Sequence, residues 1–334
     1  VISRENQNRI LDLKRSVLND DLHAIHLRYL YPPFEQWREQ MARRDLFAEN
    51  KLRWKNPVHE FIDGIDARKV KYFDAITILH ETPPDRHALK KERNISILRK
   101  HCASGATDDR NLYIYAVECL HSLLKDEGEL VLGQFFSRVS IAEYRYEIFC
   151  KMYDFCMHFG EPQRAVEALS KAIAEDPARA EAYYKLGRHL ADRTDRPAEA
   201  IPLLTVASMI RLPSYGTPEA EAYAHGPWDA LARAHFRLEN TDTARRMAAE
   251  ALERKPPDTK WLAELAVWDE AAPVLEPLPP QWAEWTEGNL GRGVPRRTII
   301  RMLEESGFGP RQIVEALRVF DRKAPGGKTD IVRS

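Results

Sequence analysis

The chain has 334 residues, a length that suggests about two or three domains rather than a single core. Lysine and arginine number 50 against 51 acidic residues, and this formal net charge of −1 offers no bulk attraction to nucleic acid or to a membrane surface. Hydrophobic residues at 44% can fill real cores, and no apolar run reaches the roughly 18–20 residues of a membrane span. Four cysteines without a CxxC pair point to a reduced, cytoplasmic setting.

In chain order, the spacing of Ile10, Leu11, Leu13, Val17 and Leu18 predicts a helix from Ser3 to about Leu18, with Ser3 as its N-cap. Asn19-Asp20-Asp21 breaks it. Ala24 to Tyr31 alternates as a strand does, and Pro32-Pro33 ends it. Val70 to Leu79 is a second predicted strand. After about Pro84 every stretch reads helical, so residues 1–85 form one domain and 86–270 a helical one. A linker from Pro273 to Pro280 follows, then three short helices over 281–322 and a polar tail over 323–334 that is expected to be disordered.

Within the helical region a period of 34 residues appears. Tyr146–Arg179 carries Gly160, Ala165, Ala172 and Pro177. Ala180–Pro213 carries Gly187, Ala200 and Ala207, with one extra residue between its two helices. His225–Asp258 carries Ala232, Ala244, Ala251 and Pro256. Small residues at fixed places let two helices approach closely, and proline ends the second. These stretches match the tetratricopeptide pattern. A degenerate unit over Asn111–Val139 precedes them, and an insert, Ser214–Ala224, separates the second from the third. Tyr153, Tyr183, Tyr184, Arg188 and Trp228 either line a binding face of this array or pack between its helices.

The chemically dense part is Arg43–Asp63, where Asn56-Pro57-Val58-His59-Glu60 delivers a histidine beside a carboxylate. Histidine can ligate a metal or contact phosphate, and a carboxylate can orient it or act as a base. The run DLFAENKLRWKNPVHEFI resembles the end of the catalytic domain of family 2 glycosyltransferases, which have the GT-A fold. AITILHETPPDRHALKKERNISILRK resembles the segment that leaves that domain, with Ile76, His80, Lys90, Lys91, Arg93 and Asn94 at the matching places. The resemblance implies that His59 contacts a divalent cation (Mn2+ or Mg2+) or the diphosphate. It implies that Glu60 orients His59 or does acid–base work, and that His80, Lys90 and Arg93 neutralise phosphate. The alternatives stay open: Lys90–Arg93 as a solvated helix face, His80 as a core residue, Trp54 as packing.

No Asp-x-Asp motif follows a strand, so the resemblance further implies a chain that starts after that motif and is inactive as it stands. The implied architecture is mostly α: the C-terminal part of a GT-A α/β domain, a tetratricopeptide α-solenoid and a small three-helix module. The last resembles ubiquitin-associated modules in shape, with Gly307-Phe308 in a loop, and is read as a docking or capping unit. The expected activity is transfer of a sugar from a nucleotide-sugar donor to a protein, peptide or glycan acceptor, with the repeats holding the acceptor or a second copy of the chain in a homodimer. The alternative is a non-catalytic tetratricopeptide scaffold that binds a protein or peptide.

Overall fold

The computed structural model describes residues 4–19, 21–31, 34–42, 44–79, 84–105, 107–213, 218–254, 256–267 and 276–323. The expected N-cap Ser3, the candidate site residue His80, the tail from 324 onward and residues 273–275 of the linker lie outside them. The chain forms two compact units, Val1–Val139 and Ser140–Ser334.

The first unit begins with helix α1 (Arg4–Asn19), ended at Asp21, whose φ of 48° is left-handed. Strands β1 (Ala24–Tyr31) and β2 (Phe34–Ala42) pair antiparallel, and β5 (Val70–Leu79) lies parallel to β1 on its other side. The sheet order is therefore β2-β1-β5. Leu13 of α1 buries itself on Ile25, Leu27 and Ile76 of this sheet. Between β2 and β5, helix α2 (Arg44–Ala48) packs Leu46 on the two-stranded ribbon β3 (Arg53–Lys55) and β4 (Phe61–Asp63). Gly64 holds the ribbon close to its neighbour: a Cβ there would stand 2.1 Å from the Lys51 carbonyl oxygen. Helices α3 (Pro84–Ala103), α4 (Asp109–His121) and α5 (Lys125–Arg138) complete the unit.

This topology corrects the expected GT-A remnant. Of the two predicted strands, β1 and β5 are neighbours, but the flank of β1 away from β5 is taken by β2, which folds back antiparallel on it. The rest of the segment is the separate ribbon β3–β4.

The second unit is a run of helix pairs. They are α6 (Ala142–His158) with α7 (Pro162–Glu175), α8 (Ala180–Arg188) with α9 (Pro197–Met209), and α11 (Gly226–Arg237) with α12 (Thr241–Glu253). These are the three predicted repeats, each a pair of packed helices. Ala165, Ala172, Ala200, Ala207, Ala244 and Ala251 are all essentially buried, as small residues at closely packed positions must be. The residue that turns the chain from first to second helix is left-handed in every repeat: Gly160 (φ 73°), Asp195 (φ 54°) and Glu239 (φ 60°). The extra residue of the second repeat is absorbed just before this turn, as a π-helical turn over His189–Arg193. One-turn helix α10 (Ala220–Tyr223) lies in the insert.

Helices α13 (Lys260–Ala266), α14 (Pro280–Gly291), α15 (Arg296–Glu305) and α16 (Pro310–Lys323) follow. Ile299, Ile300, Leu303, Ile313 and Leu317 share one buried cluster with Phe236, Trp261, Leu262 and Leu265. The C-terminal helices thus continue the core of the last repeat. No helix among the described residues is long and apolar enough to cross a membrane.

Two glycine-to-alanine changes should have opposite signs. A Cβ at Gly187 would stand 2.7 Å from Leu204 Cγ and Cδ2, so Gly187→Ala is expected to destabilise by about 1–3 kcal/mol. Gly133 in α5 faces open space, and Gly133→Ala is expected to stabilise by about 0.5–1 kcal/mol. Urea unfolding midpoints of the two variants check both signs.

Candidate functional site

His59 sits in the turn between β3 and β4, where Asn56 (φ 72°) and His59 (φ 54°) are both left-handed. Two such non-glycine residues within four positions need outside support. It comes from α4. Arg110 lies 5.1 Å from the Phe61 ring centroid and donates to the His59 carbonyl oxygen, and Asn111 Nδ2 donates to Asn56 Oδ1 at 3.3 Å. His59 Nε2 stands 3.5 Å from Glu118 Oε1, and Asn94 Nδ2 donates to the same oxygen at 2.8 Å. Burial works against the charge of Glu118, but His59 and Asn94 donate to it, and the balance holds its carboxyl below the usual carboxylate range.

Of the residues expected from sequence, the fold therefore brings together His59, Asn94 and Arg93, whose Nη2 donates to Asn94 Oδ1 at 3.0 Å. Glu60 is exposed, and Lys90, Lys91 and Arg93 lie on the solvated face of α3. His59 and Glu118 meet each other rather than a common point, and among the described residues no group of three or more His, Cys, Asp or Glu side chains could hold a metal ion. Among the described residues this donor set does not fit a divalent cation.

The second unit holds a denser polar arrangement. At the junction of the first two repeats, Arg179 is 1% exposed and lies 4.3 Å from the Tyr146 ring centroid. Its Nη2 donates to Glu181 Oε1 at 2.7 Å. Glu181 Oε2 accepts from Tyr146 at 2.9 Å and from Tyr223 of the insert at 2.6 Å. Burial opposes its charge, yet these donors hold the Glu181 carboxyl below the usual range. The insert is pinned here, so its tyrosine is a structural group.

The π turn of the second repeat faces the C-terminal helices. Arg237 of α11 donates to the Ala191 carbonyl at 3.2 Å, to Asp192 Oδ1 at 2.7 Å and to Glu304 Oε2 at 2.6 Å. Asp195 accepts from Thr298 and pairs with Arg297, while Glu239 pairs with Arg296 at 2.9 Å. The left-handed turn residues of the second and third repeats are thus both gripped by the basic start of α15. Between α8, the π turn, α11 and α15 opens a cleft of ≈ 660 Å³ with no apolar side chain in its lining. Five arginines line it: Arg188, Arg193, Arg233, Arg237 and Arg301. Arg233 pairs with Asp229 at 2.9 Å and lies over the Trp261 ring, its Cζ 4.3 Å from the centroid. Burial pushes the Glu304 carboxyl up, and Arg237 draws it back in part.

Of the face residues expected from sequence, Arg188 lines this cleft. Tyr184 is buried against Glu221 and Gly226, Tyr153 bonds His189 Nδ1 at 3.3 Å, and Trp228 lies under Arg254. Arg193, Arg233, Arg237 and Arg301 went unnoticed, although Arg233 and Arg237 stand one helical turn apart on α11, a spacing visible in the sequence.

No family model matches the chain, and no curated protein matches it. Among solved structures it is similar to MamA, at 19% identity over 53% of this chain and 96% of that one with a TM-score of 0.41. A second MamA structure gives 20% identity, 57% and 91% coverage and a TM-score of 0.41. TTC0263, a thermophilic TPR protein in Thermus thermophilus, gives 18% identity, 55% and 92% coverage and a TM-score of 0.35. The expected membership of the family 2 glycosyltransferases is corrected: no family model matches the chain, and Ala24–Tyr31, Phe34–Ala42 and Val70–Leu79 build the mixed β2-β1-β5 sheet instead.

Breaking the Arg237–Glu304 pair should be costly from one side only. Arg237→Met leaves a buried carboxylate unpaired and is expected to lose about 3–5 kcal/mol, most of it recovered in Arg237→Met/Glu304→Leu. Denaturant unfolding of the double-mutant cycle measures this.

His189 gives a pH signature. Burial, then Arg193, holds its imidazole below the ordinary value. The unfolded chain therefore takes up the proton first, and the contribution of His189 is lost as pH falls below about 6.5. The urea midpoint should drop between about pH 7 and pH 5, and drop less in His189→Gln.

Proposed function

We propose that this chain is a non-catalytic tetratricopeptide scaffold that holds a segment of a partner protein on the face made by the first helices of its repeats. The observation that carries this reading is the open polar cleft of ≈ 660 Å³ between α8, α11 and α15. The second helices α7, α9 and α12 spend their alanine faces on the core, whereas α8 and α11 present charged side chains to this cleft. Polar lining of that kind suits an extended chain held through side-chain and backbone hydrogen bonds, a recognition mode repeat arrays use. Free thiols at Cys102, Cys119, Cys150 and Cys156 support the expected cytoplasmic setting.

Selection from a displayed random-peptide library tests it. Peptides are expected to be enriched on the intact chain, with affinities at least about tenfold weaker on an Arg188→Glu/Arg233→Glu variant of unchanged helical circular dichroism. A library that yields nothing above background on the intact chain would sink the scaffold reading.

A further inference from the structure

Resting on that scaffold reading, we infer that the arginine cleft takes an acidic segment of the partner, whose carboxylates pair with Arg188, Arg193 and Arg301. The cations of the cleft are all arginines, whose planar fork matches a carboxylate through two parallel hydrogen bonds. They outnumber the carboxylates, for against five guanidinium groups stand Asp192, Asp229, Glu304 and Glu305. Those four are unevenly spent. Asp192 serves both Arg188, at 3.4 Å, and Arg237, at 2.7 Å. Glu304 goes to Arg237 and Asp229 to Arg233. Arg193 is exposed and makes no ion pair among the described residues. Arg301 pairs with Glu305 through Nη1, but its Nε is buried without a hydrogen-bond partner, and Asp195 Oδ1 is 4.0 Å away.

The cleft already shows the mode of binding it favours. Glu304 enters from α15 and is held by Arg237 Nε at 2.6 Å, a carboxylate supplied in cis. Its neighbour Glu305 is exposed and stands one turn along α15 from Arg301, so a carboxylate supplied in trans can replace it there without uncovering the core. The absence of any apolar lining side chain argues against an amphipathic helix, which needs a hydrophobic groove. The wall made by α15 also limits what fits. Ile299, Ile300 and Leu303 tie it into the core of the last repeat, so it stays in place while the partner binds.

The test uses the full chain and dye-labelled peptides of equal length, Glu-rich, Gln-rich and Lys-rich, read by fluorescence anisotropy. The Glu-rich peptide is expected to bind at least about tenfold tighter than the Gln-rich one, and its affinity to fall as the ionic strength rises from about 0.05 M to about 0.5 M. Arg188→Glu/Arg193→Glu, both at exposed positions, should abolish that preference, while Arg211→Glu outside the cleft leaves it unchanged. Equal binding of Glu-rich and Gln-rich peptides, or a charge-reversed variant that binds as well as the parent, overturns the proposal. So does displacement of the Glu-rich peptide by single-stranded oligonucleotide, or by inorganic phosphate at lower concentration than by free glutamate. If the Glu-rich peptide fails but the random library yields non-acidic binders, the acidic partner falls and the scaffold stands. If the library also yields nothing, both fall.

Discussion

The constraint on which the repeat array depends is the close approach of two helices, permitted only by small residues at fixed places. Ala165 and Ala172, Ala200 and Ala207, and Ala244 and Ala251 repeat the same interval of seven and are buried. Gly187 meets Leu204 where even a methyl group would collide. This packing uses up one face of every second helix and leaves the first helices to carry whatever the array displays. Close packing of small side chains also transmits position: because it cannot slide, each turn between helices falls at the same place in the period, and there the backbone must go left-handed.

That turn is where the second and third repeats depart from the first. The first repeat has Gly160, which adopts the conformation freely, whereas the others have Asp195 and Glu239, which do not. The unfavourable backbone is offset by what the acidic side chains touch, since Thr298, Arg297 and Arg296 at the start of α15 converge on them. The extra residue of the second repeat adds to this. Taken up as a π turn, it presents the Ala191 carbonyl and the Asp192 carboxylate to Arg237. A single inserted residue and two non-glycine turns together make the socket that seats α15, and α15 in turn makes the third wall of the cleft.

What the sequence disclosed follows from which signals are local. Helix α1 and strands β1 and β5 show in their own periodicity, and the repeats show in the spacing of alanines and prolines. Strand β2 did not show, because Phe34–Ala42 is rich in charge and glutamine; its strand character comes from pairing along β1, at the edge of the sheet. The extra residue was countable, but its π-helical form, bonded by Arg237 of the next repeat, has no local signature. Nothing local in the sequence marks Glu118, because its partners His59 and Asn94 come from distant parts of the chain. Arg179, at a repeat boundary after Pro177, is among the most buried side chains, and its partners Glu181 and Tyr146 are not readable from a local pattern. The resemblance of Asn56–Glu60 to a transferase site misled for a related reason. The motif is short, and in this fold its left-handed turn and its histidine are spent on holding α4 against the ribbon.

Two buried charge clusters remain, Arg179 with Glu181 and Arg237 with Glu304, and their positions bear on why they persist. Each replaces apolar contacts that would pack as well or better, since a buried pair rarely adds net stability. Yet both stand at junctions, the first where the insert rejoins the array through Tyr223, the second where α15 meets the π turn. An apolar junction would tolerate a helix shifted by part of a turn. A carboxylate that must find its guanidinium does not, because any shift leaves a charge without its partner in a dry environment. Hydrophobic burial by Ile299, Leu303 and Trp261 holds α15 to the array, and the ionic contacts fix its register along α11. Fixing that register brings Arg301 into the same cleft as Arg188 and Arg233, so the geometry of the cleft is set by a pair, Arg237 with Glu304, that is part of its own lining.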